Sequence, residues 1–167
     1  MLLSSPFTPI LPLFFKAFLI PKYAILLIME EILNGIMIFG VFDNLHDGHR
    51  FLINQAYSYG SNLYIVVTPT QTVKKLKGNL PYYSIKERIS SLAKEYPDAT
   101  VIEGDAELGL WTPIVKHKPK RIVCGYDQKS LYEELQKIQD KYQFEIVQIA
   151  EDHQGSKLHS RYINKGV

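Results

Sequence analysis

The chain contains one cysteine, Cys124. A lone thiol cannot close an intrachain disulfide and offers no cysteine pair for a zinc site, so the sequence fits a reducing compartment, the cytoplasm. Cys124 itself is expected as a small buried hydrophobe at a strand end. A surplus of one charge is missing too: 19 Lys and Arg stand against 17 Asp and Glu in 167 residues. That near-balance falls short of what a nucleic-acid partner demands, so none is expected and any basic site must be local. An unbroken apolar run long enough to cross a bilayer, about 20 residues, is also absent. Residues 1–28 are strongly apolar, with Lys16 and Lys22 as their only charges, but Pro6, Pro9, Pro12 and Pro21 interrupt them. They lack the basic start and small-residue cleavage site of a secretory signal.

Those 28 residues differ from everything after them. They are expected to be a spurious or disordered hydrophobic extension, with a hydrophobic anchor or a real packing element as the alternatives. Met29 then opens MEEILNGIMIFG, which has the charged first turn of an ordinary protein start. Residues 29–167 are expected to form one globular domain, a size that carries an ordinary core.

From Gly35 onward short apolar runs alternate with amphipathic segments, the pattern of βαβ units around a parallel sheet. Strands are predicted at Ile36–Phe39, Leu63–Val67, Thr100–Ile102, Arg121–Cys124 and Phe144–Ile149. Helices are predicted over His49–Tyr59, from Ser84, from Thr112 through Val115, and from Ser130 to about Tyr142. A last helix is expected from about Leu158. Ser84 with Glu87, and Ser130 with Glu133, have capping-box spacing; Thr112 before Pro113 reads as a cap and a proline at the first helical position. The polar stretch TPTQTVKKLKGNLPYY reads as a mobile loop. The fold class is α/β: a Rossmann-like, doubly wound parallel five-stranded sheet in a three-layer α/β/α sandwich. Ligands in such sheets bind beyond the carboxyl ends of the strands.

After the first strand comes FGVFDNLHDGHRFLINQA. His46 and His49 are three apart at a helix start, a spacing that puts them on one face. Gly40 permits a sharp exit from the strand, and Gly48 clears space for a phosphate to approach the backbone. The helix N-terminus adds free N–H groups and a positive dipole end. A chance motif that binds nothing, or a two-histidine metal site, are the competing readings; the second needs further ligands that no cysteine pair supplies.

Strand, G-x-F-D, then H-x-G-H at a helix start resembles the signature of the cytidylyltransferase-like nucleotidyltransferases. The resemblance extends over roughly residues 34–164. It implies that His46 and His49 bind the phosphates and stabilise the pentacoordinate α-phosphorus during in-line attack, with Phe39, Gly40, Val41, Phe42 and Gly48 lining the nucleotide. Val41 stands where many relatives have threonine. Asp43 would be structural or face the acceptor. Lys74, Lys75 and Lys77 resemble the lysines that clamp the triphosphate, Lys75 being assigned to catalysis, and Arg88 resembles the arginine that contacts the nucleotide or its phosphates. Gly125, Tyr126, Asp127 and Gln128 in CGYDQ resemble the segment lining base and ribose. KLHSRYIN resembles the family's I-S-S-T-x-I-R phosphate segment: Ser160 matches its second serine, while His159, Arg161 and Asn164 replace serine, threonine and arginine. Without the resemblance, the lysines read as a solvated loop, Arg88 as a surface helix residue and Asp127 as a turn former.

The family's chemistry implies attack of a phosphorylated acceptor on ATP or CTP with loss of pyrophosphate, with Mg²⁺ on the phosphates. No dedicated metal ligands are visible in the sequence. VVTPTQTVKKLKGNLPYYSIKER followed by KPKRIVCGYDQ looks most like the archaeal-type FAD synthases, which favours FMN as the acceptor. Glycerol-3-phosphate cytidylyltransferases share much of this layout, and a nucleotide-binding protein without turnover is the third possibility. Tyr57, Tyr59, Tyr64, Tyr82, Tyr83, Tyr126 and Trp111 are available for stacking on a flavin, although aromatics are more often core or surface. His117 reads as solvated and His153 as a polar-loop residue that at most touches an acceptor; neither reads as catalytic. A homodimer would be in keeping with the family.

Overall fold

A computed structural model describes residues 35–149. The expectations for residues 1–28, for a helix from Leu158, and for His153, His159, Ser160, Arg161 and Asn164 lie outside them.

Five strands form one sheet: β1 (Ile36–Gly40), β2 (Leu63–Val67), β3 (Thr100–Glu103), β4 (Arg121–Cys124) and β5 (Glu145–Gln148). Their order is β3-β2-β1-β4-β5, and every pairing is parallel. The chain therefore winds outward from β1 in one direction through β2 and β3. It then crosses back to β4 on the other side of β1. That reversal opens a crevice between the carboxyl ends of β1 and β4, where an open α/β sheet binds its ligands.

The strands are short apolar runs because both faces are covered. Alternate residues serve opposite layers. Ile36, Ile38, Leu63, Ile65, Val67 and Val123 pack with Leu52, Ile53 and Ala56 of helix α1 (Asp47–Tyr57) and Leu92 of α3 (Ile85–Glu95). Met37, Val66, Ile122 and Cys124 pack on the other face with Ile114 of α4 (Thr112–His117) and Leu135 of α5 (Lys129–Gln136). Cys124 is fully buried, and burial pushes its thiol up to about 12, as expected of an inert core residue.

Three local expectations are corrected. The segment read as a mobile loop contains helix α2 (Thr70–Lys77), closed by Gly78 in the left-handed region at φ 77°. Its anchors are the buried Thr72 and Val73; the Thr72 hydroxyl donates to the carbonyls of Asp105 and Ala106 at 3.2 and 3.0 Å. Ser130 does not cap a helix. The chain enters α5 two residues earlier, with Gln128 at the N-cap, because the Gln128 side chain is drawn into the gap between β1 and β4. α5 also stops at Gln136, and a separate turn, α6 (Gln139–Tyr142), follows. Thr112 opens α4 rather than capping it, Trp111 being the cap residue. The Ser84–Glu87 capping box is present with both of its reciprocal hydrogen bonds.

Candidate functional site

The first turn after β1 is built tightly. Phe42 folds back beneath its own strand end, buried, with φ 51°. A β-carbon on Gly40 would lie 2.8 Å from the Phe42 ring, so glycine is required there. Asn44 is left-handed too, at φ 52°. Such backbone in a bulky residue costs about 1–3 kcal/mol and persists only where surrounding structure enforces it. The turn delivers His46 to the N-cap of α1 in extended conformation, with no side chain capping the helix. The first-turn amides are thus left for another partner.

His46 and His49 stack, ring centroids 3.8 Å apart and planes inclined by 25°, and Phe42 supports His49 from 5.2 Å. His46 Nδ1 and Nε2 and His49 Nδ1 are buried and make no hydrogen bond. Among the described residues these are the buried side-chain nitrogens and oxygens without a partner. Buried polar groups in native proteins are nearly always paired, so an orphaned cluster of this kind marks a place prepared for a ligand. Burial lowers the pKa of His46, with Arg50 adding to the effect and Asp47 and Asp127 opposing it. Burial, followed by the charges of His46, Lys77 and Arg50, pushes His49 down to about 3. Both imidazoles are therefore neutral at physiological pH, each with one N–H donor.

The electrostatics identify the neighbours of the pair. Asp127, in the turn after β4, bears on His46, and Lys77, at the end of α2, bears on His49. The structure thus draws the His46/His49 motif, the Gly125–Gln128 turn and the lysine helix to one crevice. Lys74, Lys75 and Lys77 are all exposed on α2. Tyr126 is half-buried and Asp127 exposed; a β-carbon on Gly125 would meet Asp127 Oδ1 at 2.9 Å.

Other sequence-selected residues are spent on the framework. Gln128 Nε2 donates to the Phe39 carbonyl at 2.8 Å while its Oε1 accepts from the Gly125 N–H at 2.8 Å, stitching β1 to β4 at the crevice floor. Arg88 is 1% exposed. Its guanidinium donates to the carbonyls of Tyr83, Val41 and Thr68 and to the Thr70 hydroxyl, at 2.7–3.2 Å. Burial lowers its pKa, opposed by Asp43 and Glu103, but a guanidinium stays charged. Asp43 accepts from the N–H groups of Tyr82 and Tyr83 at 2.7 and 2.9 Å. Arg88 and Asp43 together hold the motif turn, the end of β2, the start of α2 and the chain entering α3.

Thr68, Thr72 and Asp105 carry further parts of this scaffold that the sequence reading did not single out. Thr68 donates from both N–H and hydroxyl to the Gly40 carbonyl, and Asp105 Oδ2 accepts from the Thr112 N–H. Threonine or aspartate within two residues of a strand end is the signal that could have found Thr68 and Asp105; Thr72, inside α2, carries none. His117 is not solvated as expected: it is half-buried, its ring 4.6 Å from that of Tyr64. A cavity of about 410 Å³ lined by Lys118, Lys120, Lys141 and Tyr142 lies before β4 and β5, at the opposite end of the sheet from the histidines. It holds none of the orphaned polar atoms and is not the site.

This arrangement, a strand-turn-helix with paired imidazoles at the reversal point of a parallel sheet, defines a class. The cytidylyltransferase-like family model matches residues 37–166. The chain belongs to that family and is a nucleotidyltransferase. More particular likenesses narrow the group. The chain is 37% identical over 108 residues to the FAD synthase of Pyrococcus abyssi, covering 62% of this chain and 72% of that protein. It is 29% identical over 133 residues to the FAD synthase of Methanohalophilus mahii, covering 77% and 89% respectively. Among solved structures, the lipopolysaccharide core biosynthesis protein of Thermoplasma volcanium superposes with a TM-score of 0.62 at 29% identity, covering 71% of this chain and 97% of that one.

Proposed function

We propose that the protein is an FMN adenylyltransferase: a phosphate oxygen of FMN attacks the α-phosphorus of ATP in line, forming FAD and releasing pyrophosphate. The observation that carries this reading is the stacked His46/His49 pair with its unspent ring nitrogens in the β1/β4 crevice. The similarity to FAD synthases chooses the acceptor.

Each part has a role that follows from its chemistry. His46 and His49, neutral, donate N–H bonds to the α-phosphate oxygens as negative charge builds on them, and the free amides at the start of α1 add to this. The imidazoles act in a partly desolvated crevice, which strengthens those bonds. Lys74, Lys75 and Lys77 meet the β- and γ-phosphates, with Lys77 the one whose charge already reaches His49. Gly125, Tyr126 and Asp127 border the base and ribose. Arg88, Asp43 and Gln128 act by position, fixing the walls against one another. No covalent intermediate is required, so orientation and electrostatics supply the rate.

Among the described residues no group of three or more His, Cys, Asp or Glu converges to hold a metal ion. A Mg²⁺ ion is therefore assigned to the triphosphate, on which it would neutralise charge, and the side chains would meet the complex rather than the bare metal. No helix among the described residues is long and apolar enough to cross a membrane; we assign the enzyme to the cytoplasm, where ATP and FMN are available.

Pyrophosphate release by the full chain with Mg²⁺ tests the reading, using ATP or CTP, each with FMN or glycerol 3-phosphate. Release with ATP and FMN alone is expected. Release with CTP and glycerol 3-phosphate alone would replace the acceptor and the nucleotide together.

A further inference from the structure

The ring of His46 rests on that of His49, and neither of its nitrogens is bonded. The helix start it occupies has no side-chain cap. What fixes the backbone at this point is Arg50, the residue after His49. Its N–H donates to the His46 carbonyl at 3.1 Å. Its guanidinium Nη1 donates to the Leu45 carbonyl at 3.3 Å. The peptide carbonyls on either side of the His46 α-carbon are thus both held by one residue.

The same guanidinium is tied to another helix. Nε and Nη2 donate to the two carboxylate oxygens of Glu95 at 2.7 and 3.3 Å, a fork-on-fork pair. Asp47 lies 3.6 Å from Nη1. Glu95 ends α3, about two turns beyond Arg88. Arg88 itself donates to the Val41 carbonyl at 2.7 Å. Helix α3 therefore grips the motif turn on both sides of its left-handed residues, Phe42 and Asn44: at Val41 before them and at Leu45 after. Arg50 and Glu95 are 40% and 36% exposed, and ion pairs this open contribute little to stability. Their geometry, two carboxylate oxygens and a backbone carbonyl on one guanidinium, serves placement instead.

We propose that Arg50, oriented by Glu95, is a positioning residue: it fixes the backbone at His46 and so the placement of the imidazole pair against the α-phosphate. The proposal rests on the phosphate role given to the histidines above and is independent of the acceptor they serve. A lysine could not replace Arg50, because an ammonium point charge lacks the planar fork. Arg50 has a second effect through its charge. Burial is the chief reason that both rings stay neutral, and the Arg50 cation adds to it. The other charges facing the pair are Asp47 from α1 and Asp127 from the turn after β4, which favour protonation of His46, and Lys77 from α2, which opposes that of His49.

The two effects separate in the full chain. Arg50→Lys keeps the cation and loses the fork, while Glu95→Ala keeps the guanidinium and loses its anchor. FAD formation from ATP and FMN with Mg²⁺ is followed by steady-state kinetics. The imidazole signals of His46 and His49, assigned with His46→Gln and His49→Gln, are followed by NMR. Both variants should lower kcat about tenfold with each KM within about twofold. The double variant should be no slower than the slower single one, because the two residues act as a unit. Both should also shift the imidazole signals, since the stacked rings move with the backbone. Arg50→Met removes the cation as well, so the acid limb of its kcat profile should move to higher pH, whereas Arg50→Lys leaves that limb in place. Wild-type kcat in Arg50→Lys and Glu95→Ala overturns the proposal. So does a loss of kcat with higher KM for both substrates and unmoved imidazole signals, the mark of a generally loosened domain. Failure of the readings beneath it looks different. If FMN is not the acceptor, wild-type protein makes no FAD, yet Arg50→Lys still shifts the imidazole signals; if the histidines do not serve the phosphate, His46→Gln itself keeps near-normal turnover.

Discussion

Two sets of polar residues share the carboxyl edge of this sheet and are treated in opposite ways. Arg88, Asp43 and Gln128 are hydrogen-bonded to backbone groups of neighbouring segments, Arg88 through four bonds to its surroundings. His46 and His49, a few residues from Asp43, are half-buried, with three ring nitrogens buried and without partners. The resemblance assigns Arg88 and Gln128 to the nucleotide together with the histidines, and Asp43 to a structural or acceptor-facing place. The structure separates residues whose polar groups are spent bracing the crevice walls from residues whose ring nitrogens are left unpaired. A group committed to several carbonyls can respond little to a transition state, whereas an orphaned imidazole gains most when charge appears beside it.

That contrast can be broken most directly at the histidines. Alanine at His46 or His49 should lower turnover by about 10²-fold or more, with the thermal midpoint unchanged or slightly raised, since no hydrogen bond is lost and a desolvation cost is removed. Steady-state kinetics with thermal unfolding on the same preparations checks both halves; near-normal turnover in either variant would refute the assigned role. Arg88 should behave in reverse. Arg88→Ala leaves buried carbonyls without donors and should cost about 3 kcal/mol of stability, read by denaturant unfolding, with activity falling as the turn loosens. A variant as stable as wild type but inactive would return Arg88 to direct nucleotide contact.

The smallest effect sharpens the comparison through pH. His49 in the folded protein sits at about 3 against an ordinary 6.5, so on acidification the unfolded chain binds a proton that the folded one refuses. Its contribution is present in full above about pH 6.5 and is lost progressively as pH falls from there toward 3. Unfolding free energies measured from pH 7.5 to 5 should therefore decline more steeply for wild type than for His49→Gln. Equal slopes would mean that His49 is more hydrated than its burial against Phe42 and His46 implies.

Much of this was legible before any coordinates. All five strands were placed to within a residue or two, because parallel strands buried on both faces read as short apolar runs. The capping box at Ser84 was readable because its two bonds are local. The same spacing at Ser130 misled, since a distant carbonyl, that of Phe39, pulls Gln128 in and starts α5 early. Helix α2 was missed for a related reason. Its sequence is polar and lysine-rich without an apolar stripe, and what holds it is the Thr72 hydroxyl on carbonyls more than thirty residues away. Pro69 before it and Gly78 after it were the available signals.

The order of short apolar and amphipathic segments determined the alternating α/β fold, and His46-x-Gly48-His49 at a strand-turn-helix determined the family, because both depend on contacts between near neighbours in the chain. Tertiary structure alone decided that Arg88 and Gln128 would brace rather than reach, and that Trp111 would be held in a left-handed turn against Phe39. It also decided that the imidazoles would be neutral, stacked and unpaired. Each of these depends on burial and on partners brought together from opposite ends of the domain, and spacing along the chain carries no record of either.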